Sequence, residues 1–555
     1  MNQKNTPEPS IIFIYQMGFN FYKLLKTFSR TEQLIFAGAA LVFVVTGVVY
    51  AASFVDTKTV LEPTGGGTYL EGMVAQPVYV NPVIQSGSDA DKDLIALTYS
   101  TVADLADKII VSPNHLVWTI RLKDNVYWHD GVRLTADDVI FTLEAIENPE
   151  ANSPLFTTWQ GVRSERVSEL EFTLATGEPY AFFEQNLKNL YVAPKHIFRE
   201  VPVGNWRQSD YALTPIGSGP YKAAGFKKEK NGFVSEYYLT KNDRYFKDKP
   251  FIDNITFVFF VNEIDALQAF AIARIDGLGG VNPLLLPDVK RPHTVGELHL
   301  PRYYAVFLNQ SANDFLKNSA VRRALDYATD KKTIIKQVFN GSATSLDGPT
   351  PYLSSVTLAN STPYDPSQAK TILDGAKLPK GDDGFFGEIK LVVPSLEFLT
   401  KTAEILKANW ESVGIKTTLI TLDLPTISND AIKTRNYDAI LFGNIFATNQ
   451  DMFSFWHSSE RFYPGLNLSL YNNKSADKLM ESIRKDFEEA GRAAKLVDLV
   501  AQIRNDQPAI FLYSPNYIYL TNNQIHGVVG TAINTPASRF QNIAKWYIKT
   551  KRVFR

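Results

Sequence analysis

Residues 118–146 read WTIRLKDNVYWHDGVRLTADDVIFTLEAI. Trp118, Ile120 and Leu122 alternate with Thr119 and Arg121, the period of a half-buried strand. Lys123-Asp124-Asn125 reads as a turn, Val126–Trp128 as a second short strand, and His129-Asp130-Gly131 as a turn with glycine at its tight position. Thr135 then stands ready to cap a helix, with Asp137 and Asp138 at its positive end. These acids read as helix-start residues rather than as a general acid–base pair. Outward from this stretch, strand-like runs such as Ile389–Val393 alternate with helical spacing in Phe315–Leu325 and Ala403–Val413. The alternation predicts an α/β body whose sheets are covered by helices.

The chain has 555 residues, which at about 150 per domain suggests three or four domain-sized units. Hydrophobic residues make up 45% and charged residues 21%, as in an ordinary globular protein. A formal net charge of -1 leaves no electrostatic footprint for nucleic acid, so none is expected as a partner. The 26 tyrosines and 36 phenylalanines either pack cores or line a pocket. With no cysteine there is no disulfide, no thiolate metal site, no cysteine nucleophile and no lipid on an N-terminal cysteine. The seven histidines are scattered without an HExxH pair, so no metal site and no cofactor are expected. Neither a P-loop nor a nucleophile elbow is present, which argues against an enzyme.

Leu34 to Val55 is an uncharged run of 22 residues. As a helix it spans about 33 Å, enough for a hydrocarbon core of about 30 Å. Lys4, Lys23, Lys26 and Arg30 precede it against Glu8 and Glu32, a basic excess that places the N-terminus in the cytoplasm and the large body outside. A cleavable signal peptide is the competing reading, with Val49-Tyr50-Ala51 before Ala52 as its cleavage site. The length of the run favours an uncleaved anchor. Residues 11–29 fit an interfacial amphipathic helix or a poorly ordered tail. Residues 56–68, with three glycines and a proline, read as a short flexible stalk.

The opening stretch resembles the signature of the family 5 extracellular solute-binding proteins, through Trp118, His129-Asp130-Gly131 and Thr135 to Val139. Other pieces match in the family's order. They are Asn81-Pro82, the turn Pro215 to Tyr221, Asn242 to Pro250, Ala269-Phe270 with Ile275-Asp276, and Val321 to Asp330. Tyr364-Asp365-Pro366, Phe455 to Ser459 and Tyr471-Asn472-Asn473 follow. A GSGPY turn alone says little; the whole series in order, from about Gly67 to about Tyr547, carries the resemblance. Arg274 stands where the family has a glycine.

The resemblance implies an α/β, two-lobed periplasmic-binding-protein type II clamp with an extra subdomain, here preceded by one N-terminal transmembrane helix. By analogy, residues 1–33 are a cytoplasmic or interfacial segment, 34–55 the membrane helix and 56–66 the stalk. Lobe I takes 67–90, 205–300 and 510–547, the extra subdomain 91–204, lobe II 301–509, and 548–555 is a tail. The glycines of the GSGPY turn are expected to serve backbone geometry rather than to bind an anion. The implied function is capture of a solute, an oligopeptide first of all, by hinged closure and delivery to ABC importer permease subunits. An oligosaccharide or chelated metal is the alternative solute. A membrane-anchored sensor or adhesin is the rival class, disfavoured because some 33 residues before the helix are too few for a folded output domain.

The resemblance also implies a pocket. Peptide-binding relatives present an aspartate to the ligand's amino terminus in a glycine-tryptophan-x-x-aspartate segment. Counting from Gly443, those two positions are Asn444 and Ala447, which do not match. Asp451 is the nearest acid and serves either as ammonium partner or as a helix cap. Tyr79 and Asn81 in the first strand-to-loop turn are further candidates. So are Tyr303, Tyr304 and Asn309 where the chain enters lobe II, Phe446, Trp456 as a platform, and Tyr513 near the second crossing. For each, packing or a strand hydrogen bond is the competing role.

Overall fold

The computed structural model describes residues 27–350, 362–446, 451–528, 530 and 532–554. The chain divides into two compact units, Met1–Thr64 with Lys549–Arg555, and Gly65–Ile548. The segment read as interfacial, 11–29, lies outside the described residues up to position 26.

In the first unit the uncharged run sits inside a single helix, Arg30–Lys58, none of whose residues is buried. Ser29 and Glu32 form a capping box at its start, and Lys58 stands at its negative end. The helix is long and apolar enough to cross a membrane. The residues expected to form a stalk and a tail differ from that reading. Thr59–Thr64 pairs antiparallel with Lys549–Phe554 along its whole length, Thr59 opposite Phe554. Arg552 reaches back to Asp56 Oδ1 at 3.1 Å and Thr59 Oγ1 at 3.0 Å. The partners lie at opposite ends of the chain, so no local pattern announces the ribbon.

Among the described residues the second unit holds three sheets. Seven strands form the first lobe's sheet in the order His293–Leu298, Tyr517–Asn522, Gly277–Gly279, Thr68–Met73, Asn254–Phe259, Val234–Lys241, Tyr221–Lys228. Thr68–Met73 runs parallel to both of its neighbours. Six strands form the second lobe's sheet in the order Ala343–Ser345, Ala509–Pro515, Arg302–Leu308, Ala439–Ile445, Gly387–Pro394, Ile415–Leu422. Both faces of this sheet are buried, so side chains of one strand enter two cores. Tyr303, Ala305 and Phe307 pack with Trp456 and Phe511, whereas Val306 and Leu308 pack with Leu441 and Leu512. Ala509–Pro515 belongs to this sheet, so the second crossing falls at Asn516 rather than at 509/510.

The opening stretch builds the extra subdomain. Val117–Leu122 lies between Ala106–Val111 and Glu171–Ala175 in a four-stranded antiparallel sheet. Trp118 faces Leu174 and Ile120 faces Phe172, all four buried. Val126–Trp128 is not a strand; it contributes one bridge, Tyr127 to Arg133, because the chain turns back at once over Gly131 at φ +95°. The helix Ala136–Glu147 follows, and the Asp138 carboxylate accepts the N–H groups of Thr135 and Lys195, both at 2.9 Å. Phe315–Leu325, read as one helix, is a 3-10 turn Asp314–Lys317 and then a helix Ser319–Tyr327. Asn318 separates them by capping the second through Ala320 N–H.

The GSGPY turn closes against the helix Asp89–Thr98. A Cβ on Gly217 would stand 1.8 Å from the Thr98 carbonyl oxygen, and one on Gly219 2.6 Å from that of Leu97. His129 locks the turn: its Nδ1 accepts the Gly217 N–H at 3.2 Å and its Nε2 lies 3.1 Å from the Gly219 carbonyl. Two motifs far apart in sequence are thus one structural joint.

Candidate functional site

In parallel α/β sheets, ligands bind outside the carboxyl ends of the strands. Those ends are Met73, Phe259 and Gly279 in the first lobe and Pro394, Leu422 and Ile445 in the second. Large apolar side chains stand exposed just past them: Val74 and Val261 in the first lobe, Leu396 and Leu424 in the second. The helices Glu263–Ala271 and Glu397–Ser412 start at these ends. Burial raises the Glu263 carboxyl, the Asn282 N–H opposes that, and the Glu397 charge from the other lobe raises it further. The starts of these two helices, one from each lobe, therefore lie close enough for their charges to be felt.

The chain crosses between lobes at 299–301 and at Asn516. There Asn516 Oδ1 lies 2.8 Å from His299 Nδ1, Asn516 Nδ2 donates to Glu297 Oε2 at 2.6 Å, and its N–H donates to the Ser342 carbonyl at 3.1 Å. This polar cluster ties the two crossings together.

The structure gathers the sequence-derived candidates into three groups. Tyr303, Asn444, Phe446 and Trp456 meet in one core of the second lobe. Asn444 Nδ2 donates to the Tyr303 hydroxyl at 2.8 Å, and Trp456 is fully buried. Tyr304 and Tyr513 share the opposite face, ring centroids 5.6 Å apart, with the Tyr513 hydroxyl 2.9 Å from Thr402 Oγ1. Tyr79 and Asn81 lie in the first lobe. Tyr79 is half-buried with Arg207 over its ring, and buried Asn81 accepts the N–H groups of Val83 and Ile84. Asn309 stands apart. It follows the far end of Arg302–Leu308, beside Asp438, and its side chain binds the Arg435 carbonyl and the N–H groups of Ser311 and Ala312. About 20 Å of strand separates it from the cleft edge.

Asp451, six residues beyond the end of Ala439–Ile445, has its carboxylate engaged. Arg484 reaches it through Nε at 2.8 and 3.1 Å and through a terminal nitrogen at 2.7 Å. Tyr180, from the extra subdomain, donates at 3.0 Å, and Oδ1 accepts the Phe453 N–H. Ala447, at the position of the relatives' aspartate, lies outside the described residues. Sequence reasoning missed the Arg484–Tyr180 pairing, which no spacing signals. Among the described residues no cluster of three or more His, Cys, Asp or Glu side chains could hold a metal ion.

Two lobes joined by two crossings, with an extra subdomain, define a solute-binding clamp of the type II class. The chain belongs to the bacterial extracellular solute-binding proteins, family 5, whose middle-region profile matches residues 100–462. It is 26% identical over 541 residues to the oligopeptide-binding protein AppA of Bacillus subtilis, covering 88% of this chain and 93% of the relative. The structure of AppA in complex with a nonapeptide superposes with a TM-score of 0.70 at 23% identity, over 88% of this chain and 100% of that one. CtaP of Listeria monocytogenes, an ABC transporter substrate-binding protein, gives 0.76 at 23% identity, over 87% and 99%. NikZ of Campylobacter jejuni in complex with Ni(L-His) gives 0.69 at 24% identity, over 86% and 99%. The structural likenesses show the fold. The matched relatives are binding proteins, and this chain is a binding protein rather than an enzyme.

Proposed function

We propose that this chain is the membrane-tethered, extracytoplasmic binding component of an ABC importer, and that it captures oligopeptides by closing its two lobes and delivers them to a permease. The observation that carries the reading is a pair of lobes, each with parallel strand ends, in a chain similar to AppA over nearly its whole length. An extended peptide in such a cleft is held through its backbone as an added strand, with side chains in roomy, hydrated pockets. Tyr79, Asn81, Tyr304, Asp451 and the residues around Asn444 remain the proposed surroundings of that ligand. Of these, Tyr304 is only half-buried, whereas Tyr303, Phe446, Trp456 and Tyr513 are buried in the second lobe's cores.

Thermal denaturation of the chain against a pool of random nonapeptides tests the reading. Peptides are expected to raise the midpoint, because a ligand that binds only the folded state stabilises it. No shift with peptides, together with a shift from Ni(L-His) or an oligosaccharide, sinks it. A chelated metal is the second reading, favoured by one observation: Asp451, the nearest acid to the relatives' ammonium grip, is engaged by Arg484 and Tyr180. The tether rests on the exposed apolar helix Arg30–Lys58. Mass spectrometry of the mature protein is expected to find that helix intact; a start at Ala52 or Ser53 refutes the anchor.

A further inference from the structure

Arg302 opens the first strand of the second lobe after the chain crosses over. It pairs with Ile445, the last residue of Ala439–Ile445, so its backbone lies on the edge where that sheet faces the cleft. Alternation along the strand puts its side chain on the Tyr304 side of the sheet. It is half-buried, and Ile445 beside it is 65% exposed, so the pair opens to solvent at this sheet edge.

Every other buried or half-buried arginine among the described residues is bonded. Arg322 and Arg435 satisfy backbone carbonyls, Arg539 and Arg484 carboxylates, and the rest likewise find partners. Arg302 alone makes no hydrogen bond and no ion pair, although its Nε is closed off from solvent. An unmet guanidinium N–H in such a place is costly, and buried donors left open in a native structure call for an explanation. The first acid past Ile445 in the chain is already taken: the Asp451 carboxylate is held by Arg484 and Tyr180. The edge thus offers an unpaired cation.

We propose that Arg302 binds a carboxylate of the captured solute. The planar guanidinium grips a carboxylate through two parallel N–H bonds, which a lysine cannot reproduce. Resting on the peptide reading, the assignment leaves two sources of that group, the peptide's C-terminal carboxylate or an acidic side chain.

The test uses the full chain, wild type and Arg302→Gln, with three nonapeptide pools: random free acids, the same peptides as C-terminal amides, and free acids lacking Asp and Glu. Affinities are read by titration calorimetry. Wild type is expected to bind random free acids roughly tenfold more tightly than one of the other pools, the worth of one charge-assisted pair. The pool that loses affinity identifies the source. Arg302→Gln is expected to erase that difference while binding the weaker pool as wild type does. Its unliganded thermal midpoint should stay level or rise, since nothing in the fold bonds to Arg302. Equal wild-type binding to all three pools overturns the assignment, as does a variant that weakens every pool alike or unfolds several degrees earlier. A wild type that answers no pool at all defeats the peptide reading itself.

Discussion

Asp93 and His129 are expected to hold the acid response of this protein in balance, and each single substitution should unmask the other. Asp93 is fully buried in the first lobe, where it and Glu71 share the guanidinium of Arg539; Arg539 donates to Glu71 Oε1 at 2.7 Å and to Asp93 Oδ1 at 2.9 Å. Tyr69 and Tyr519 donate to the other oxygen of Glu71 at 2.7 and 2.8 Å. Burial pushes Asp93 up to about 7, against the pull of Arg539 and with the Glu71 charge adding to the push. Its folded value lies above its unfolded one, so its stabilising contribution is complete below pH 4 and is lost as pH rises through 7. His129 runs the other way. Burial pushes it down to about 4, although its bond to the Gly219 carbonyl opposes that. Its contribution is complete above its ordinary value of 6.5 and is lost as pH falls toward 4. Between pH 7 and pH 5 proton linkage makes each effect about 2 kcal/mol, of opposite sign. Asp93→Asn should therefore become more acid-sensitive than wild type, and His129→Gln less, by roughly that amount. Urea denaturation midpoints at half-unit steps from pH 5 to 8, each variant compared with wild type, provide the measurement. If both variants follow the wild-type curve in parallel, the burial argument for these two groups is wrong.

Two further outcomes follow from close contacts. Gly217→Ala should cost about 2–3 kcal/mol through overpacking against the Thr98 carbonyl, while Gly177→Ala, with nothing within 4 Å, should be silent; equal midpoints would refute the joint. Tyr180→Phe removes the hydrogen bond that Tyr180 donates across to the Asp451 carboxylate, worth about 1–2 kcal/mol, and should speed ligand release roughly tenfold in stopped flow. An unchanged release rate would mean that the extra subdomain does not help to hold the clamp shut.

The motif stretch was legible because it is local. Val117–Leu122 and Ala136–Glu147 carry their own periodicity and caps, and they lie where the alternation of Trp118, Ile120 and Leu122 and the Thr135-Asp138 start put them. The apolar helix was legible for the same reason. What the sequence hid is non-local. The pairing of Thr59–Thr64 with Lys549–Phe554 joins the two ends of the chain, and Gly217 needs Thr98 beside it before its lack of a side chain has a reason. In the cleft, aromatic residues could be named but not oriented. A tyrosine in a strand buried on both faces enters one core or the other by parity alone, so adjacent Tyr303 and Tyr304 part company. Asp451 presented an acid at a suggestive place, and its partners come from Arg484, 33 residues on, and Tyr180, 271 residues back.

Those partners bear on how the clamp stays responsive. The extra subdomain meets the second lobe away from the crossings. Tyr180 bonds Asp451, Ala181 N–H bonds the Arg484 carbonyl at 2.7 Å, Glu178 pairs with Lys485, and His115 stacks on Phe487 at 3.7 Å. Much of this is polar, although Phe182 packs against the second lobe's core and Phe487 against the core of the other side. Glu178 and Lys485 are well exposed, and exposed ion pairs contribute about 0–1 kcal/mol each. A latch of this kind favours closure without fixing it, because each group that leaves its partner on opening meets water instead. The difference between open and closed then stays small enough for a ligand's differential affinity to decide it. An apolar interface of the same extent would hold the lobes shut whether or not the cleft were filled. The Arg302 side chain, left without a partner in the protein, is where that differential affinity would arise: its carboxylate partner comes with the ligand.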